Sequence, residues 1–193
     1  MLTIRTFTAI GFVVCIVLTG CMEKDITTLD VELYNADGDS LGVAKVSEDS
    51  GGVKIELNLE GLPPGEHGVH IHETGLCDPP DFKTAGNHFN PDDKEHGLMH
   101  PEGAHVGDLP NIIVKDDGTV IAELIAPEAT LKDGKTSLFG KDGTAIIITE
   151  TPDDGMTQPT GDSGERIACG LITKEVAEKG KVVEEPVDES EEE

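Results

Sequence analysis

Bases are scarce in this chain: 14 lysines and arginines stand against 39 acids, a formal net charge of −25 at pH 7. A chain this acidic repels nucleic acid and anionic lipid headgroups, which removes that class of partner. Helical periodicity is equally hard to find. There is no GxSxG elbow and no glycine-rich phosphate loop ahead of a helix, so nucleophilic catalysis finds no support. The cysteines form no CxxC pair of the metal-binding kind. No histidine follows residue 105, and that absence matters as much as any residue present.

The two ends differ from the middle. Residues 1–20 read as a secretion signal, with Arg5 as the positive start and Phe12 to Leu18 as a short apolar run. That run falls short of the roughly 20 apolar residues a membrane span needs. Leu18-Thr19-Gly20-Cys21 resembles the bacterial lipoprotein signal, in which Cys21 becomes the acylated first residue. An ordinary signal peptide or an uncleaved anchor is the alternative. The lipoprotein reading places the protein outside the cytoplasm, anchored to a bacterial cell membrane by a tether at 21–27. At the other end, 175–193 holds nine acids, two lysines and little to bury, the composition of a disordered, solvating tail. One folded body is expected between them, over 28–174. Two cysteines remain after processing, Cys77 and Cys169. In an exported protein they most simply form one disulfide, with two free buried thiols as the alternative.

Strand signals fill the body. "LDVELY" (29–34), "VKIELNL" (53–59) and "TVIAELIA" (119–126) alternate apolar and polar residues as half-buried strands do. "LGVAKV", "HGVHIH", "NIIVK", "AIIIT" and "RIACGLI" are five further β-rich runs. Turn dipeptides separate many of them: Asp37-Gly38, Gly51-Gly52, Asp117-Gly118, Asp133-Gly134 and Asp142-Gly143. About eight short strands without intervening helices predict an all-β fold, an antiparallel Greek-key barrel or immunoglobulin-like sandwich. Two connections, 73–108 and 150–165, are too long for hairpin loops and are expected to be functional or held in place.

All seven histidines lie between 67 and 105. The run His67, His70, His72, His88, His96 and His105 ends in Asp108, which reads as a two-metal site. His70 and His72 sit two apart on a predicted strand, so their rings project from one face and suit a single ion. His88, His96, His105 and Asp108 offer three imidazoles and a carboxylate, the donor set of a closed tetrahedral zinc site. If His88 serves both groups, each of its ring nitrogens takes one metal.

"HGVHIHETGLC", "TAGNHFNP", "HVGDLPNI" and "GDSGERIACG" together resemble the signatures of the copper/zinc superoxide dismutase family, over roughly residues 28–173. The resemblance implies copper and zinc as cofactors and superoxide as substrate, converted to oxygen and hydrogen peroxide. It implies His70, His72 and His88 as copper ligands, and His88 (the bridge), His96, His105 and Asp108 as zinc ligands. It further implies a Cys77–Cys169 disulfide and Arg166 as the cation that receives the anion. Asp153 is implied as the carboxylate tying His70 to His96 from outside the metals. A homodimer is a possible assembly.

The chain departs from the family at one place. The family's fourth copper histidine belongs in a run of the form apolar-apolar-His-x-x-x-Asp-Asp, which here reads "IIITETPDD". Asp153-Asp154 set the alignment, and Thr149 takes the histidine's place. A neutral hydroxyl is a poor copper ligand, so weakened copper binding is expected beside an intact zinc site. Glu150 should face the other side of the strand. His100 is a candidate surrogate, against the plainer reading of a solvated loop histidine; Met156 is a soft donor better read as a surface residue. Between Lys141 and Lys174 the only cation is Arg166, surrounded by Glu150, Asp153, Asp154, Asp162 and Glu165, so electrostatic steering of an anion is expected to be weak. Two functions stay in view: a dismutase with an impaired copper site, and a zinc-stabilised binding or copper-buffering module without efficient catalysis.

Overall fold

Alternation of apolar and polar residues builds the first three strands, β1 (Thr28–Asn35), β2 (Ser40–Asp49) and β3 (Gly52–Leu59). Leu29, Val31, Leu33, Ala44, Val46, Val53, Ile55 and Leu57 all turn to one buried face, as the two-residue period requires. The computed structural model describes residues 26–180. It continues with β4 (Gly65–His67), β5 (Val69–His72), β6 (Ile112–Val114), β7 (Val120–Ala126), β8 (Thr144–Thr149) and β9 (Arg166–Ile172). A short helix, α1 (Lys174–Lys179), follows. Seven strands form one curled antiparallel sheet in the order β5-β8-β9-β1-β2-β3-β7, and β4 pairs with β6. Gly68 joins β4 to β5 and the turn at 115–118 joins β6 to β7, so the small ribbon links the two sheet edges in a Greek-key barrel.

Nine strands replace the expected eight because "HGVHIH" divides at Gly68. His67 pairs with Ile112 on one side of the break, and Val69 pairs with Ile148 on the other. Gly68 itself bonds to the chain at both Thr149 and Thr151. A Cβ on it would lie 2.5 Å from Thr149 Oγ1, so only glycine passes this crossing. Two of the turn glycines, Gly38 and Gly118, take φ of 85° and 81°, as their dipeptides predict.

β5 and β8 are buried on both faces. Val69, Ile71, Ile146 and Ile148 join the main core, while Ala145 and Ile147 pack outward with Phe82, Ala85 and Cys169. The long excursion after β5 provides that second cover, and the Cys77–Cys169 disulfide pins it to β9. A third long connection, 127–143, is marked in the sequence only by its Asp133-Gly134 and Asp142-Gly143 turns. Glu48 anchors it by accepting from Thr130 Oγ1 at 2.8 Å and Leu131 N at 2.6 Å, and Leu131, Leu138 and Phe139 enter the core.

The reading of 175–193 as a tail gives way over 175–179 to α1. Thr173 caps it, its Oγ1 accepting from Val176 N at 3.2 Å, and Ala177 is buried. Residues 181–193 lie outside the described residues, as do the signal, Cys21 and most of the tether. No described helix is long and apolar enough to cross a membrane.

Truncation separates core from surface. Ile55→Ala, at a fully buried position, should lower unfolding free energy by about 3 kcal/mol in a denaturant titration. Ile121→Ala, at a side chain 77% exposed, should change it by less than about 0.5 kcal/mol.

Candidate metal centre

His70 and His72 stand on the outward face of β5, opposite Ile147 and Ala145 of β8. The excursion folds back along this strand: His72 pairs with His88 and His70 with Asp108 as single antiparallel bridges. Between them Ile71 bonds to both Phe89 and Gly107. Gly107 is required there, since a Cβ would meet Ile71 O at 2.2 Å. The result is two groups whose donor atoms lie within 4.8 Å of one another: His70, His72 and His88, and His88, His96, His105 and Asp108. His88 belongs to both.

Two carboxylates organise the rings. Asp108 Oδ1 lies 2.8 Å from His88 Nδ1, 3.1 Å from His96 Nδ1 and 3.3 Å from His105 Nδ1. Its Oδ2 accepts from the backbone N–H groups of Gly97 and His105 at 2.9 and 3.0 Å. Asp153 works from the other side, with Oδ2 2.6 Å from His70 Nε2 and Oδ1 3.1 Å from His96 Nε2. Gly161 makes room for this contact, because a Cβ there would meet Asp153 Oδ1 at 2.0 Å.

The protonation pattern follows. Burial lowers His72 to about 2 and His88 to about 4, so both are neutral at pH 7. Burial opposes charge on His96 too, yet its hydrogen bonds to Asp108 and Asp153 prevail and raise it to about 9. Burial likewise works against the Asp108 and Asp153 carboxylates, and their imidazole partners still hold both below the usual range. Two buried ring nitrogens have no protein partner among the described residues, His70 Nδ1 and His72 Nε2, and His105 Nδ1 has only the long 3.3 Å approach to Asp108 Oδ1. Unpartnered buried nitrogen is costly, and an ion satisfies it. Three imidazoles with a carboxylate fit the donor set of a closed zinc site; His70, His72 and His88 fit an ion that prefers imidazole.

His67 is no part of either group. Its Nδ1 and Nε2 lie 2.8 Å from the carbonyls of Thr149 and Pro63, so it cross-ties β4 to β8, and its place in the histidine run was misleading. His100 accepts from Glu102 N through Nδ1 at 3.2 Å and lies outside both groups. Met156 is exposed. Arg166 donates to the carbonyls of Phe82 and Gly86, each at 2.7 Å, and makes no ion pair among the described residues. His72 Nδ1 shares that Gly86 carbonyl at 3.0 Å, which sets the guanidinium beside this ring.

Sequence reasoning missed two amide clamps. Gln158 grips the main chain of His96, accepting from its N–H at 2.8 Å and donating to its C=O at 2.9 Å. Asn111 grips Asp153 in the same way, at 3.0 and 2.9 Å. The clamps hold the two ends of one hydrogen bond, His96 to Asp153. Asn111 sits within "HVGDLPNI", where its place after Asp108 was a usable signal; nothing in the sequence around Gln158 marked it.

The fold is a Greek-key barrel carrying two candidate ion positions that share one histidine. The family model for copper/zinc superoxide dismutase matches residues 40–172, and the chain belongs to that family. It is 51% identical over 143 residues to a Cu-Zn superoxide dismutase of Aquifex aeolicus, covering 73% of this chain and 84% of the relative. A crystal structure of a superoxide dismutase-like protein from Bacillus subtilis superposes with a TM-score of 0.72 at 44% identity, covering 74% of this chain and 97% of that one. Forms of that protein with one and two histidine-introducing substitutions are also solved. The Cu/Zn superoxide dismutase of Brucella abortus matches with a TM-score of 0.63 at 32% identity, over 75% of this chain and 99% of its own.

Zinc held through His96 would have to displace the proton of that ring. Because His96 is raised to about 9, apparent zinc affinity should climb with pH by about tenfold per unit and level off above that value. Competition with a chromophoric chelator across this range measures it. Gln158→Leu and Asn111→Leu should each weaken zinc retention by about 10- to 100-fold in the same assay.

Proposed function

We propose that this protein is a lipid-anchored, extracytoplasmic superoxide dismutase with a complete zinc site and a weakened copper site. His88, His96, His105 and Asp108 would hold zinc; His70, His72 and His88 would hold copper, and Thr149 stands where a fourth imidazole belongs. Copper, when bound, supplies the electron transfer that turns two superoxide ions and two protons into oxygen and hydrogen peroxide. The single observation that carries the reading is the convergence of two buried, unpartnered nitrogens, on His70 and His72, beside the His88 ring.

The chain's own groups have separable tasks. Arg166, tethered to Gly86 O beside His72, offers the positive charge that draws a small anion to this pocket. Burial disfavours its charge and lowers its pKa, while the same low-dielectric surroundings strengthen its pull on an anion that enters. Asp153 fixes the His70 ring through Nε2 and leaves Nδ1 for the ion. With Nδ1 of His88 turned to Asp108, only its Nε2 is free to take up and surrender a proton on the copper side. The "LTGC" tetrad at Cys21 supports the membrane anchor, and a disulfide suits an oxidising compartment.

A second reading, a copper-binding or copper-buffering module without efficient turnover, draws on the same Thr149. It also draws on the likeness to the Bacillus protein, whose name says only superoxide dismutase-like. Loading wild type and Thr149→His with zinc and then copper distinguishes the two. The variant should hold copper about 100-fold more tightly and gain dismutase activity in proportion. Tightly held copper and equal activity in wild type would overturn the account of Thr149; no activity in either form would favour the buffering module.

A further inference from the structure

Met99 and Met156 carry thioethers on the two long loops and are 68% and 44% exposed. Their surroundings differ. Met99 N donates to Gly155 O at 3.1 Å, which lays the excursion after β5 against the second long loop. The Met99 side chain then crosses the open face of Gly155: its Cε, Cγ and Cβ lie 2.9, 3.3 and 3.6 Å from where a Cβ would sit. The Gly155 N–H donates to Asp153 Oδ1 at 2.6 Å, and Asp153 holds the rings of His70 and His96. One reachable thioether therefore rests on the peptide that aims the carboxylate between the two groups.

A cavity of about 150 Å³ lies at this contact, lined by Leu98, Met99, Leu109, Asn111, Asp153 and Gly155. Two of these residues position Asp153: Asn111 brackets its main chain, and Gly155 donates to its carboxylate. Met156 is no part of this lining, and its N–H is taken by Asp154 Oδ1 at 2.9 Å. Oxidation converts a thioether to a sulfoxide, a polar group with an acceptor oxygen. Hydrogen peroxide suffices for the step. Its O–O bond breaks, one oxygen bonds to sulfur and the other leaves as water, so sulfur loses the two electrons that the peroxide gains. A neutral oxidant also suits a chain of net charge −25, which repels anionic ones. An oxygen on the Met99 sulfur would bring a new acceptor to the cavity edge, competing with Asp153 for the Gly155 N–H and ending the apolar contact.

We propose that Met99 is a peroxide-modification site whose oxidation loosens Asp153 and, through it, His96. The effect on zinc rests on the zinc group of the preceding proposal; the loosening of Asp153 does not. Copper-free protein, with and without zinc, is treated with hydrogen peroxide, which keeps copper-driven chemistry out. Peptide mapping should find one added oxygen on Met99. Exchange of the Gly155 amide hydrogen, followed by NMR on the metal-free form, should then quicken about tenfold. Zinc retention against a chelator should fall about tenfold. Met99→Leu keeps an apolar contact without a reactive sulfur and should show neither change. Met99→Gln, polar at similar length, should show both before any peroxide is added. Met156→Leu should respond as wild type does, and methionine sulfoxide reductases should restore treated wild type. Met99 left unreacted while Met156 is oxidised, unchanged Gly155 exchange once Met99 is fully oxidised, or equal losses in Met99→Leu overturns the proposal. Zinc missing from untreated protein would remove the zinc reading alone, because Gly155 exchange still decides this one.

Discussion

Two imidazoles buried on the outward face of a barrel strand are the constraint on which the rest of the structure depends. His70 and His72 are polar groups shut away from water, and such groups must find partners. A strand whose far side already faces the core can bury them only beneath another layer of chain. The 73–111 excursion is that layer, stitched to β5 through Ile71 and stapled by Cys77–Cys169. Once it is in place, Asp108 arrives from below and Asp153 from the second long loop, and every carboxylate oxygen in reach has an imidazole or amide to accept from. Glycines stand wherever this crowding brings two backbones, or a backbone and a carboxylate, into contact.

The two halves of the centre are built to different standards. The His88–His96–His105–Asp108 group has its full complement of donors, an anionic member, and main-chain bonds that fix the carboxylate. The His70–His72–His88 group has neutral donors only, and its boundary includes a hydroxyl and a guanidinium held by carbonyls. The first group is thus the more firmly clamped of the two, and Thr149 lies beside the second.

Most of the barrel was legible because strand alternation is a local signal: Leu29, Val31 and Leu33 declare their face without reference to anything distant. The metal centre was legible because its donors are chemically rare residues crowded into 39 positions of chain, from His67 to His105, with Asp108 just beyond. What could not be read depends on tertiary partners. His67 looked like its neighbours until the carbonyls of Thr149 and Pro63 were seen on its two nitrogens. The break at Gly68 exists because two strands on different sides claim the same run. α1 hides in an acidic stretch, since one threonine cap and one buried alanine outweigh its composition. Gln158 is an ordinary polar loop residue whose task is set by a main chain 62 positions away.

That last contact joins the centre's two halves more tightly than a shared ring alone would. Gln158 fastens His96 to the second long loop, and the same loop carries Asp153, which aims His70. Ordering the first group therefore sets the rings of the second. Fixing one ring of the closed half thus narrows the freedom of a ring in the open half, through a single amide and a single carboxylate carried by one loop.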